Sequence, residues 1–108
     1  NHLVVSIEDN LDEPIIDHLS EIVEFIESAR SDPGAKVLVH CLGGISRSSS
    51  VVIAFLMHLN HWTVSKSLDY VKSCRSVASP NPSFLSQLHQ WYEYCIATES
   101  GLSSCESF

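Results

Sequence analysis

The sequence is short of cations. Six Lys and Arg face thirteen Asp and Glu, for a formal net charge of −7. Nucleic acid and anionic membranes both demand clustered positive charge, so neither is expected as a main partner. An anionic substrate stays open, because one pocket can be positive on an acidic protein. Long hydrophobic runs are also missing. The longest, around Val51 to Met57, is cut by His58 and falls short of the roughly 20 residues that span a bilayer. No internal repeat is present. Metal-ligand spacing is absent as well: no Cys-x-x-Cys or His/Cys pair stands at a zinc-site interval, and His2, His18, His58, His61 and His89 are read as surface or packing residues. The sequence does not begin with Met, and a signal peptide is not expected. The chain opens at Asn1 as if inside a domain, so it is expected to be a fragment whose first strands lie upstream.

What is present suffices for one domain. Hydrophobic residues make up 44% of the 108, enough for a real core. The four cysteines, Cys41, Cys74, Cys95 and Cys105, are read as reduced thiols of an intracellular protein, cytoplasmic or nuclear. Cys74, Cys95, Trp62 and Trp91 are assigned to the core, and Cys105 to the tail.

Leu3 to Ile7 and Lys36 to His40 are short apolar runs suited to buried strands. Between them Ile15, Ile16, Leu19, Ile22, Val23, Ile26 and Ala29 recur three or four apart, an amphipathic helix with Asp12 as its expected N-cap and Ser31-Asp32-Pro33-Gly34 as its stop. Strand, helix, strand predicts a βαβ unit with parallel strands and a right-handed crossover. Further helices are predicted over Ser48–Asn60, Thr63–Arg75 with Thr63 as cap, and from Asn81-Pro82 onward with Phe84, Leu88, Trp91, Tyr92 and Cys95 inward. The fold class is α/β: a central sheet with parallel strands, flanked by helices. A domain over 1–98 is followed by a polar, disordered tail over 99–108.

The chemistry concentrates in "VLVHCLGGISRSSS", residues 37 to 50. This loop joins the C-terminal end of a predicted strand to the start of a helix, where ligands of open α/β sheets bind. A helix N-terminus offers free N–H groups and a positive dipole end to an anion. Gly43 and Gly44 let successive N–H groups turn inward as a nest, and Arg47 adds a planar fork matched to phosphate. Cys41 stands at the rim, where the helix end and Arg47 favour its thiolate, a nucleophile aimed at phosphorus. Ser48 can donate a hydrogen bond to the sulfur when a phosphocysteine is hydrolysed; it could also serve simply as an N-cap. His40 is read as a buried residue that shapes the loop.

A leaving alkoxide or phenoxide needs a proton. Both strands of a parallel βαβ unit end at the same sheet edge, so a carboxylate just after Ile7 can converge on Cys41. Asp9 is the chosen general acid and later general base. Glu8, Asp12 and Asp17 are weaker candidates.

"HCLGGISRS" resembles the His-Cys-x-x-Gly-x-x-Arg-Ser/Thr signature of the cysteine-dependent protein tyrosine phosphatase superfamily, and in detail the dual-specificity phosphatases, MAP-kinase phosphatase-like and atypical members in particular. "VVSIEDN" resembles the segment bearing that family's catalytic acid. "SPNPSFLSQLHQWY" resembles its Pro-Asn-x-x-Phe-x-x-Gln-Leu segment, with Asn81, Phe84, Gln87 and Leu88 in register. The resemblance implies catalysis by Cys41, Arg47, Asp9 and Ser48 through a phosphocysteine. It implies phosphate binding by the N–H groups of Leu42, Gly43, Gly44, Ile45, Ser46 and Arg47, with His40 and Asn81 supporting the loop. It implies no metal or other cofactor. The implied substrate is a protein phosphorylated on Tyr, Ser or Thr, with MAP kinases among the candidates. Gly43 departs from the Ala frequent in close relatives. Two other readings stay in view: a pseudophosphatase that binds phosphoproteins without turnover, and a phosphatase of non-protein phosphate esters. The intact site residues speak against the first, and the lack of lysine in the loop against lipid substrates. A sulfurtransferase is disfavoured by Asp9 and Ser48.

Overall fold

The computed structural model describes residues 3–34, 38–39 and 46–106, with side chains described as far as residue 97. Four helices follow one another: α1 (Ile16–Arg30), α2 (Arg47–Asn60), α3 (Val64–Cys74) and α4 (Pro82–Glu106). Among the described residues none is long and apolar enough to cross a membrane.

Helix α2 is apolar on most sides and lies at the centre, touching each of the other three helices, while α1 and α3 do not meet. Ile15, Leu19 and Val23 beside α1, Ile53, Ala54 and Met57 of α2, Val64 of α3, and Phe84, Leu88, Trp91 and Cys95 of α4 close into one core. Within it Trp91 Nε1 donates to the Ala54 carbonyl at 3.0 Å, so the indole gains bulk contact without stranding its donor. A second cluster joins Ile22, Ile26 and Val51 to the half-buried Leu3, Val5, Ile7, Val39 and Phe55.

The helix ends show which signals are local. Thr63 caps α3, its Oγ1 accepting the Lys66 N–H at 3.2 Å. Asn81 caps α4, its Oδ1 accepting the Phe84 N–H at 2.8 Å, and Pro82 takes the first helical position. Helix α1 stops at Ser31, and Gly34 follows with φ +84°, a left-handed conformation suited to glycine. Helix α2 ends on His61 at φ 59°, whose N–H reaches the Met57 carbonyl; in sequence His61 gives no sign of this.

Several expectations need correction. Asp12 does not cap α1. That helix starts later, its N-cap Ile15 makes no side-chain capping bond, and the Ile16 N–H is met at 3.0 Å by Gln87 Oε1 from α4. A partner so far along the chain leaves no local trace. Leu3 to Ile7 is extended without forming a strand, Lys36, Val37 and His40 lie outside the described residues, and no sheet is present among those described. Leu3 to Ile7 does alternate, with Leu3, Val5 and Ile7 half-buried and Val4 87% exposed. A strand, however, is defined by the ladder to its neighbour. Of the second run only Leu38 and Val39 are described, and Leu38 is 83% exposed rather than buried. Cys74 is exposed, since the groove it shares with Val39, Val52, Val71 and Ala78 is open. Trp62 is only half-buried, edge-on to Tyr70 with Lys66 over its ring. The backbone of α4 continues to Glu106 where a disordered tail is expected, because extending a nucleated helix costs little and no proline intervenes after Pro82.

Candidate active site

The site forms where α2 begins, the segment after Ile7 turns, and α4 begins. Arg47 is the first residue of α2, and no acidic residue stands in that first turn to compete with an incoming anion. Its Nη1 donates to the Ile7 carbonyl at 3.1 Å. This bond ties the segment that precedes Asp9 to the start of α2.

Ser46, not Ser48, occupies the N-cap position of α2, and it makes no side-chain capping bond there. Its buried hydroxyl is turned instead to α4 and accepts the Asn81 N–H at 2.9 Å. The Ser46 carbonyl takes both the N–H of Ser50, at 3.0 Å, and its hydroxyl, at 2.7 Å. Ser48 is buried one position beyond Arg47.

Asp9 is exposed, and its Oδ1 accepts from Asn81 Nδ2 at 2.9 Å. The same amide donates to the Asn10 carbonyl at 3.2 Å. The loop around Asp9 is closed by its own side chains: Glu13 Oε1 accepts the Glu8 N–H at 2.6 Å, Asn10 Oδ1 accepts the Asp12 N–H at 2.9 Å, and Asn10 Nδ2 donates to Glu8 Oε2 at 3.0 Å. At its far end Gln87 Nε2 donates to the Glu13 carbonyl at 2.9 Å and to Ser83 Oγ at 3.0 Å. Asp12 and Asp17, the weaker acid candidates, are both exposed, and Glu8 is engaged with Asn10.

Asp9, Ser46, Arg47 and Asn81 are therefore gathered at one place. His40, Cys41, Leu42, Gly43, Gly44 and Ile45 lie outside the described residues. Sequence reasoning missed the side-chain partners of Ser46, the clamp made by Gln87, and the turn-closing carboxylate of Glu13. Gln87 stands in the motif that opens α4, which is a signal; Glu13 carries none. Among the other thiols, burial pushes Cys95 up from its ordinary value to about 11, which keeps it protonated and inert at neutral pH. Among the described residues, no group of three His, Cys, Asp or Glu side chains is placed to hold a metal ion.

Known proteins share much of this sequence and fold. Residues 1–94 match the family model described as dual specificity phosphatase, catalytic domain. The tyrosine-protein phosphatase yvh1 of Schizosaccharomyces pombe is 42% identical over 92 residues, 85% of this chain and 28% of that protein. Dual specificity protein phosphatase 15 of Rattus norvegicus is 41% identical over 90 residues, 83% of this chain and 38% of that protein. The crystal structure of human DUSP28 superposes with a TM-score of 0.78 at 37% identity, covering 83% of this chain and 60% of that one. The chain thus spans between a quarter and two fifths of these curated relatives. With the family model covering nearly its whole length, the chain belongs to the dual specificity phosphatase catalytic-domain family.

Proposed function

We propose that the protein hydrolyses phosphate esters of phosphotyrosine and of phosphoserine or phosphothreonine through a phosphocysteine intermediate. The thiolate of Cys41 attacks phosphorus, the ester P–O bond breaks, and the carboxylic acid of Asp9 gives its proton to the leaving oxygen. Water then attacks the phosphocysteine, and the Asp9 carboxylate takes its proton. The P–S bond breaks, and the sulfur leaves as a thiolate eased by a hydrogen bond from Ser48. Arg47 and the N–H groups from Leu42 through Arg47 hold the phosphoryl oxygens, aided by the start of α2. His40 shapes the loop.

One observation carries this reading. The bond from Arg47 to the Ile7 carbonyl brings the residue that would bind phosphate beside the segment that presents the acid. A central sheet with parallel strands, delivering Cys41 and Asp9 to one edge, belongs to the same proposal, as does a location in the cytoplasm or nucleus. The partner is a phosphorylated protein, a MAP kinase being one candidate. Nucleic acid and membrane are not proposed as partners, since the net charge of −7 opposes both.

Phosphate release from phosphotyrosine and phosphothreonine peptides, wild type against Cys41→Ser, tests the reading. The variant is expected to lose all turnover while still binding the peptides. Equal rates would mean that Cys41 is not the nucleophile. A wild type that binds phosphopeptides but releases no phosphate would instead make the protein a pseudophosphatase.

A further inference from the structure

Asn81 does more than start a helix. Its Oδ1 accepts the Phe84 N–H, its backbone N–H donates to Ser46 Oγ, and its Nδ2 donates both to Asp9 Oδ1 and to the Asn10 carbonyl. Its own carbonyl accepts the Leu85 N–H at 3.0 Å. Every donor and acceptor type of this residue is thus engaged. The partners belong to three separate stretches of chain: the acid loop, the residue preceding Arg47, and the first turn of α4.

We propose that Asn81 is a positioning residue for the reaction, holding the Asp9 carboxylate in register with Ser46 and Arg47 at the start of α2 through its side-chain amide. The inference rests on the reading of Asp9 as general acid. Asp9 lies on an exposed loop, and a proton donor serves only if it is held within hydrogen-bond reach of the leaving oxygen. The bonds that close the loop internally shape it without locating it relative to Arg47. Asn81 does locate it. Two hydrogen bonds through one residue, Asp9 to the Asn81 amide and the Asn81 N–H to Ser46, run from the carboxylate to the neighbour of Arg47. An amide suits this role because it donates to the carboxylate and cannot itself take up the proton that Asp9 must carry. Its planar group points the donor at Asp9 while the opposite atom is pinned by the helix it caps.

The cap and the bridge can be separated by substitution. Serine is as good an N-cap as asparagine, so Asn81→Ser keeps a partner for the Phe84 N–H, and the backbone bond to Ser46 survives. Serine is too short to replace the amide at Asp9. The readout is the ratio of kcat/KM for p-nitrophenyl phosphate, whose leaving group needs little protonation, to that for phenyl phosphate, whose leaving group needs more. Both rates come from one preparation of the intact protein, so the ratio is independent of how much of the variant is folded. Asp9→Asn should raise this ratio by removing the acid. Asn81→Ser should raise it too, by about 10- to 100-fold, because the loss on phenyl phosphate exceeds that on p-nitrophenyl phosphate. In an Asp9→Asn background, Asn81→Ser should change nothing further. An unchanged ratio in Asn81→Ser, beside a raised ratio in Asp9→Asn, would leave Asn81 a plain helix cap and overturn the proposal alone. An additive effect in the double variant would do the same. A ratio that Asp9→Asn leaves unmoved would remove the acid itself, and the positioning role with it.

Discussion

Gln87 and Leu88 are adjacent on α4 and serve two different regions. Leu88 is fully buried among the side chains of α1, α2 and α4. Gln87 turns to a polar seam, where it clamps the Glu13 carbonyl and the Ile16 N–H, nearly two turns further along α4 than Asn81. The core is held by burial, which is strong and non-directional. The seam is held by a few hydrogen bonds, each worth little net but fixed in direction. The core therefore decides whether the chain folds, and the seam decides where the acid loop sits once it has. Damage to one should read out in stability, damage to the other in geometry.

The largest break is on the core side. Leu88→Ala should destabilise the fold by about 2–5 kcal/mol, from the lost transfer energy plus the cavity left behind. Urea denaturation would measure it. The ratio of rates on activated and unactivated aryl phosphates should stay at the wild-type value in whatever fraction remains folded. A shift in that ratio would show that core and seam are not separable.

The core also carries a test by pH. Cys95 is buried, and the fold keeps its thiol protonated up to about 11, against the usual 9. Between those values the unfolded chain loses this proton and the folded chain keeps it. The contribution is fully present below pH 9, declines as pH rises through the interval, and levels off above 11. It amounts to about 2–3 kcal/mol at most. The check is the difference in unfolding free energy between wild type and Cys95→Ala, followed from pH 8 to 11; other titrating groups cancel. That difference should shrink as pH rises, and a constant one would mean that water reaches the thiol.

The same division explains how much is legible in the sequence. The helices are, because burial writes itself as a spacing of apolar residues: α2, α3 and the start of α4 lie where the pattern puts them, and Thr63 and Asn81 cap as their local sequence predicts. The seam is not, because its bonds join residues far apart in sequence. Asp12 has the chemistry of a cap, yet the free N–H at the start of α1 is met by Gln87, 71 residues beyond Ile16. The alternation of Leu3 to Ile7 is plain in the sequence, but a strand also needs a neighbour, which no single run can announce. At the site, residue type and order along the chain make Asp9 and Arg47 candidates, and no more than that is legible. Asn81 is recognisable as a cap from its acceptor, while the donor that reaches Asp9 has no local signature.

The smallest break is Gln87 itself. Gln87→Leu fills similar space and removes three hydrogen bonds at once: to the Ile16 N–H, the Glu13 carbonyl and Ser83 Oγ. The site is only half-buried, so water can replace part of what is lost, and the cost should be about 1–2 kcal/mol in urea unfolding. Gln87→Glu divides that loss. A carboxylate still accepts the Ile16 N–H, and its charge is favourable at the N-terminus of α1, but it no longer donates to the Glu13 carbonyl. The glutamate variant should therefore unfold closer to wild type than the leucine variant does. If both are as stable as wild type, α1 needs no cap from α4 and the seam does not bind the two helices together. If the two fall equally, the contact that matters is the one to Glu13, and the clamp serves the acid loop rather than the helix.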